Sequence, residues 1–257
     1  MIDWFHTLSN LGIGLLILGV GLGLSTLLPW WVRHRFALNP AEPLAKGAEE
    51  SFKLFTSITL LLLAFCLVRV QGDHRNVEDL VAREATIVYK LDRALAGYGA
   101  PQATPLRELT RRYAQSVVDD EWLLLAQGGR STVTSRLLAD LTRGCRQLEA
   151  GNTAQQLARA EALGSVTQVN DVREARLAAA TLHLPRYYWQ ALACAMVLLL
   201  AFGWLQSPLP KMVAYVGGVT LGVSLLLTLL IATEGLFVGE SRVTPAPLVH
   251  TLGLLGT

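Results

Sequence analysis

Residues 52–70 read FKLFTSITLLLLAFCLVRV, and between Lys53 and Arg69 only apolar and hydroxyl side chains occur. A helix needs about 20 mostly apolar residues to cross a hydrocarbon core about 30 Å thick. This stretch therefore reads as a spanning helix whose end cations snorkel to the two interfaces. Three further stretches qualify. Residues 8–32 carry no charge and end in Pro29-Trp30-Trp31 followed by Arg33 and Arg35, an aromatic belt and then a basic anchor. Residues 187–206 open with Tyr187-Tyr188-Trp189, and 211–233 run up to Glu234. Only Ser207-Pro208-Leu209-Pro210 separates these two, which predicts an antiparallel hairpin. No Lys or Arg precedes the first span and no small-residue cleavage pattern follows it, so it reads as a retained helix and not a signal peptide.

The composition agrees with a membrane protein that carries a soluble insert. Of 257 residues, 52% are apolar and 16% charged, against about a quarter charged in soluble domains. Residues 71–186 hold 15 of the 22 basic and 14 of the 20 acidic residues. The overall balance is +2, too small to supply the basic face that displaces counterions from nucleic acid. Lipids, small inorganic ions and other protein chains remain as partners. Cys66 and Cys194 lie in apolar segments and Cys145 in the insert, so neither a disulfide framework nor a zinc site is expected. The expected fold is an all-α membrane protein, with four transmembrane helices and a helical soluble insert (71–186) between the second and third.

Four crossings put the N-terminus, the insert and the tail 234–257 on one side. Arg33, Arg35, Lys46, Lys53 and Lys211 lie in the short segments of the other side, against Arg242 alone. By the positive-inside rule this favours an extracytoplasmic insert. Counting Arg69, Arg75, Arg83, Arg173, Arg176 and Arg186 near the membrane ends turns the count to seven against five. Dominance of the first helix keeps the preference for an external insert.

Within the insert, helix periodicity predominates. Val77, Leu80, Val81, Val88, Leu91 and Leu95 define one helix, with Asn76 as its N-cap and Gly97 and Gly99 as its stop. Thr104-Pro105 opens a second, through Leu106, Tyr113 and Val117 to Gly128-Gly129. Val133 to Leu148 mark a third. A capping box, Thr153-x-x-Gln156, starts a fourth that runs to Leu184-Pro185 and almost directly into the third span.

Chemistry-bearing patterns are few. His6, His34, His74, His183 and His250 show no metal or catalytic spacing, and nucleophile-elbow and phosphate-loop patterns are absent, so an enzyme is not expected. No metal or other cofactor is expected either, since adjacent helical positions send the acids of Asp119-Asp120-Glu121 in different directions. No span has an ionisable centre, which argues against a proton pump or carboxylate-coupled transporter. A pore for anions needs only hydroxyls, backbone dipoles and an apolar constriction. Thr220, Ser224 and Thr228 form a hydroxyl stripe that is either pore lining or a packing seam. Gly19-x-x-x-Gly23 and Gly218-x-x-x-Gly222 suggest helix contacts.

The order of parts resembles the bestrophins, and the local motifs resemble the bacterial bestrophin-like domain proteins. The matching residues are Arg83-Glu84-Ala85, Tyr89-Lys90-Leu91 and Arg93, then Tyr113, Asp120-Glu121-Trp122 and Gly128. Arg173, Arg176-Leu177, Leu184-Pro185, Trp189, Phe237-x-Gly239 and Val243-x-Pro245 complete the set. The resemblance implies a homo-oligomer, a pentamer in true bestrophins, in a bacterial inner (plasma) membrane. It implies an anion channel with Phe55, Ile58, Leu62 and Phe65 as neck residues on the second span. The acidic calcium clasp of animal bestrophins has no counterpart, since only Glu234 and Glu240 follow the last span. Arg83, Glu84, Arg93, Asp120, Glu121, Trp122, Arg173 and Arg176 are expected to form an ion-pair network, with a ligand site as the alternative. The rival function is a non-conducting membrane scaffold or sensor whose insert binds a protein or small ligand.

Overall fold

A computed structural model describes residues 10–36, 41–181, 184–206, 209–235, 237 and 242–255. It is helical throughout, with no strand among the described residues. The chain divides into two compact units, residues 1–72 with 183–241 and residues 73–182 with 242–257.

In the first unit, helix α1 (Asn10–Leu22) passes through a π turn (Gly23–Leu27) into α2 (Leu28–Phe36). The first part of α3 (Glu42–Gly97), α8 (Arg186–Leu205) and α9 (Pro210–Glu234) complete it. The span from Gly14 to Arg35 and helices α3, α8 and α9 are each long and apolar enough to cross a membrane. Phe52, Leu63, Cys66 and Val70 of α3 pack with Leu192 and Leu199 of α8 and with Val216, Val223 and Leu230 of α9. The hydroxyls inside these helices return to their own backbone. Thr56 donates to the Phe52 carbonyl at 2.7 Å, Thr59 to Phe55 at 2.7 Å, Thr220 to Val216 at 2.8 Å and Thr228 to Ser224 at 2.7 Å. Bonded this way, these four hydroxyls are satisfied inside an apolar bundle. Residues 207 and 208 of the expected hairpin lie outside the described residues.

Helices α1 and α9 run antiparallel along a glycine seam, though the glycines that form it differ from those expected. A Cβ on Gly14 would sit 3.1 Å from Thr228 Cγ2, and one on Gly21 would sit 2.9 Å from Ser224 Oγ and 3.1 Å from Thr220 Cγ2. At Gly19, Gly23, Gly218 and Gly222 a Cβ would meet nothing within 4 Å. The two Gly-x-x-x-Gly pairs therefore do not mark this helix contact. Gly14 and Gly21, seven residues apart, share the face that meets α9.

The second unit holds the rest of α3, then α4 (Thr104–Ser116), a π turn (Val117–Glu121), α5 (Trp122–Leu125), α6 (Thr132–Gln147), α7 (Thr153–Ala179) and α10 (Ala246–Leu254). Pro105 occupies the first turn of α4 as expected, but the cap expected at Thr104 falls on Ala103, without a side-chain bond, and Thr104 is already helical. Gly128 (φ +66°) ends α5, with Gly129 N–H on the Leu124 carbonyl at 2.9 Å and Gly128 N–H on Leu125 at 3.0 Å. This pairing satisfies the last carbonyls, and only glycine takes its backbone angle without strain.

Three expected boundaries move. Asn76 is no N-cap, because α3 is unbroken through it. The reason is phase: the buried ridge Leu63, Cys66, Val70, Val77, Val81, Glu84, Val88, Leu91 and Leu95 has three- and four-residue spacing on either side of the polar stretch 71–76 and stays in register across it by one seven-residue step, where no proline intervenes. Helix α7 is capped by Asn152 and not Thr153, the Asn152 side chain accepting from Gln155 N–H at 2.8 Å. It stops at Ala179, short of the expected run into α8, where Pro185 imposes an extended entry. The tail contains α10, whose Leu248 is fully buried and whose Thr251 hydroxyl reaches the Ala85 carbonyl at 3.5 Å.

The glycine seam predicts different outcomes for the same substitution two residues apart. Gly21→Val should lower stability by about 1–3 kcal/mol through overpacking, whereas Gly19→Val should leave the thermal midpoint in detergent nearly unchanged. Equal midpoints for the two variants would remove Gly21 from the contact.

Candidate pore helix and buried ion network

Eight insert residues were expected in one network, and the structure brings five of them together. Glu84 comes from α3, Glu121 from the end of the π turn, Trp122 from α5, and Arg173 and Arg176 from one face of α7 at i, i+3. Arg176 donates from Nε to Glu84 Oε2 at 2.7 Å and from Nη2 to Glu121 Oε2 at 2.9 Å. Arg173 holds the same Glu121 by two bonds, Nη2 to Oε1 at 2.5 Å and Nε to Oε2 at 3.0 Å, and also donates to Ser135 Oγ at 2.9 Å. The Trp122 ring lies 5.5 Å from the Arg176 guanidinium carbon. Tyr113 is the member that the expected network lacks; its hydroxyl donates to Glu84 Oε1 at 2.7 Å. Its place in the family motif is the signal that could have found it.

Glu84, Glu121 and Arg176 are completely buried, and Arg173 nearly so. Two carboxylates and two guanidiniums sum to zero charge, the condition under which a buried cluster is tolerated. Burial alone would raise the Glu121 pKa, but the bonds and charges of Arg173 and Arg176 outweigh it and hold the carboxyl below its ordinary value. Burial, reinforced by the Glu84 charge, pushes the Tyr113 phenol well above its ordinary value. Both groups therefore keep one protonation state across neutral pH, which suits a fixed structural joint.

Arg83, Arg93 and Asp120 stay outside the cluster and are exposed. Arg93 donates to its own helix neighbour Tyr89 at 2.9 Å. Arg83 lines a groove of about 530 Å³ with Asp79, Thr86, Lys90, Gln168 and Asp171. The acidic run divides, with Glu121 inward and Asp119 and Asp120 outward.

On α3 the four neck candidates separate into two pairs. Phe55 stacks on Phe202 at 5.2 Å and Leu62 packs against the core of its own chain. Ile58 is 46% and Phe65 62% exposed. They belong to an exposed ridge, Leu54, Ile58, Leu61, Phe65 and Val68, with alternating four- and three-residue spacing. Leu54, Leu61 and Val68 were not among the candidates, although that spacing is visible in the sequence. The ridge continues through Gly72, Arg75, Asp79, Ala82, Thr86 and Lys90, all exposed. The hydroxyl stripe Thr220, Ser224 and Thr228 lies in the seam against Gly14 and Gly21.

A family model of the bestrophin-like domain matches residues 22–248. The chain belongs to the bestrophin-like family. The characterised members of that family are ion channels. Among solved structures, a bacterial bestrophin homologue from Klebsiella pneumoniae superposes with a TM-score of 0.67 at 12% identity, covering 93% of this chain and 98% of that one. The crystal structure of a membrane-protein variant superposes with a TM-score of 0.62 at 13% identity, over 95% of this chain and 99% of that one. Identities this low establish a shared fold. No curated protein sequence matches significantly.

Two outcomes follow from the ion network. Arg176→Met strands the charge of Glu84 and removes one of the four bonds to Glu121, and should cost about 3–5 kcal/mol; the double variant Glu84→Leu with Arg176→Met should recover part of that loss in a denaturation series. A depressed carboxyl pKa adds stability that is complete above the unfolded value, about 4.3 for Glu, and is lost as pH falls through the folded value. The melting temperature should therefore drop on acidification below pH 4.3 in the native protein, and Glu121→Gln should flatten that slope.

Proposed function

We propose that the protein is a homo-oligomeric channel for small inorganic anions, with α3 of each copy facing the pore. The observation that carries this reading is the ridge of α3. Its first five members, Leu54 to Val68, are apolar and exposed in the single chain, and its continuation is polar and charged. An apolar constriction that opens into a polar surface is a recognised way to gate ions by wetting. Between Lys53 and Arg69 the helix has no carboxylate to repel an anion. Ile58 and Phe65 are the constriction residues of this reading, with Leu54, Leu61 and Val68 beside them. Phe55 and Leu62 support the ridge from behind.

The four apolar helices are read as spanning segments at 8–32, 52–70, 187–206 and 211–233, with 71–186 as the insert and 234–257 as the tail. Antiparallel packing of Gly14 against Thr228 sets the start of the first span beside the end of the last. That supports a common side for the N-terminus, insert and tail, and the short-segment charges favour the outer side of a bacterial inner membrane.

Purified protein in a planar bilayer with a chloride-salt gradient should give current reversing near the chloride potential. Ile58→Ala and Phe65→Ala should alter its conductance or rectification, and Phe55→Ala should act mainly through stability. A monomer by mass measurement, or silence from a folded oligomer over a range of ions and pH, would overturn the channel. The groove at Arg83, Lys90 and Asp171 would then be the surface to examine for a scaffold or sensor.

A further inference from the structure

In the first unit two cavities meet. One, of about 270 Å³, has a mixed lining and lies at the end of α2, where Ser25, Arg33, His34 and Gln206 stand beside Trp30 and Met212. The other, of about 260 Å³, is almost wholly apolar, with Leu16, Val20, Leu199, Val219 and Leu227 in its wall. Ser25, Gly203 and Val216 line both. Each volume alone falls just short of the usual small-molecule range, which begins near ~300 Å³, and together they lie within it.

The polar end contains groups that the chain itself does not satisfy. Gln206 is 2% exposed, and neither its amide nitrogen nor its amide oxygen has a partner; Ser25, 6% exposed, has an unpartnered hydroxyl. Buried polar atoms almost always have partners, so two such side chains on one cavity point to a missing one. Arg33 donates through Nη2 to the carbonyls of Trp204 and Gln206, the latter at 2.7 Å. This caps the end of α8 and fixes the guanidinium at the cavity. No carboxylate among the described residues pairs with it. The π turn at Gly23–Leu27 carries Ser25 to the wall, a common position for such turns near ligands. Exposed Trp30 and Trp31 set this end at the depth of lipid headgroups.

We propose that this unit binds an anionic amphiphile with a single hydrocarbon chain. Its oxyanion meets Arg33, Ser25 and the Gln206 amide, and its chain fills the apolar cavity between α1, α8 and α9. A bare anion would leave the apolar cavity empty, and an uncharged chain would leave Arg33 and Gln206 unanswered. Two chains, as in a phospholipid, exceed the space. Binding does not depend on conduction, so the site and the channel can fail separately.

The test uses the full-length protein, delipidated in a non-ionic detergent and photolabelled with a diazirine analogue of dodecanoic acid, with the adducts mapped to peptides. Labelling should concentrate on residues 16–24 and 219–227 and be displaced by dodecanoate. Dodecanol and inorganic phosphate should compete weakly. Arg33→Gln and Ser25→Ala should each reduce labelling about tenfold, and Val219→Trp, which fills the apolar cavity, should abolish it. Because Arg33 also caps a helix, Ser25→Ala is the decisive variant, and its thermal midpoint should be no lower than that of the native protein. Labelling spread over outward residues such as Leu225 and indifferent to Ser25→Ala would overturn the proposal. Equal competition by dodecanol, or displacement by inorganic phosphate alone, would overturn it too.

Discussion

Charge neutrality in a dry interior is the constraint on which the second unit depends. Glu84, Glu121, Arg173 and Arg176 are withdrawn from water together, and each is tolerable only because the others are in place. The bonds join α3, the π turn and α7, segments separated by up to 92 residues. A rotation of α7 by one residue, about 100° in a regular helix, would aim both guanidiniums elsewhere and leave two carboxylates unpaired. Register, rather than raw stability, is therefore what the cluster supplies. Glu84, Tyr113, Glu121, Trp122, Arg173 and Arg176, all among the residues that carry the resemblance in the sequence, meet at this joint.

What the sequence makes legible is whatever a local rule controls. Apolar runs of spanning length, the proline in the first turn of α4 and the positive-φ glycine after α5 are each set by a few adjacent residues. What it hides depends on partners. The π turn at Val117–Glu121 inserts an extra residue into a turn, so simple periodicity misplaces Glu121 by one position. That bears on Asp120, the neighbour of Glu121; Arg83 and Arg93 lie on α3 and entered the expected network as polar positions of the family resemblance, which do not tell an inward side chain from an exposed one. Continuity of α3 was legible in principle, because the buried ridge stays in phase through residues 71–76. A polar composition suggests a break there, but composition does not interrupt a helix whose apolar face still has something to cover.

In the first unit, the same distinction explains the glycines. A four-residue repeat identifies two small residues on one face of a helix but says nothing about which face meets a neighbour. Gly14 and Gly21 were selected by the hydroxyl stripe opposite them. Because Thr220 and Thr228 donate to the carbonyls of Val216 and Ser224, four residues back on the same helix, they present carbon toward α1 and demand room more than polarity. A stripe of hydroxyls in a membrane helix is thus an ambiguous sign, and its backbone bonds resolve it toward packing.

Helix α3 combines two ridges with opposite demands. Its buried ridge is apolar from Leu63 to Leu95 except at Glu84, where α7 supplies the countercharge. Its exposed ridge is apolar only from Leu54 to Val68 and becomes polar from Gly72 onward. Lipid contact alone would explain exposed leucines, but it would not require them to lie in line with Arg75, Asp79, Thr86 and Lys90 on a helix that never breaks. On the channel reading that alignment has a purpose: an ion shedding water at Ile58 and Phe65 regains polar contacts along the same helix.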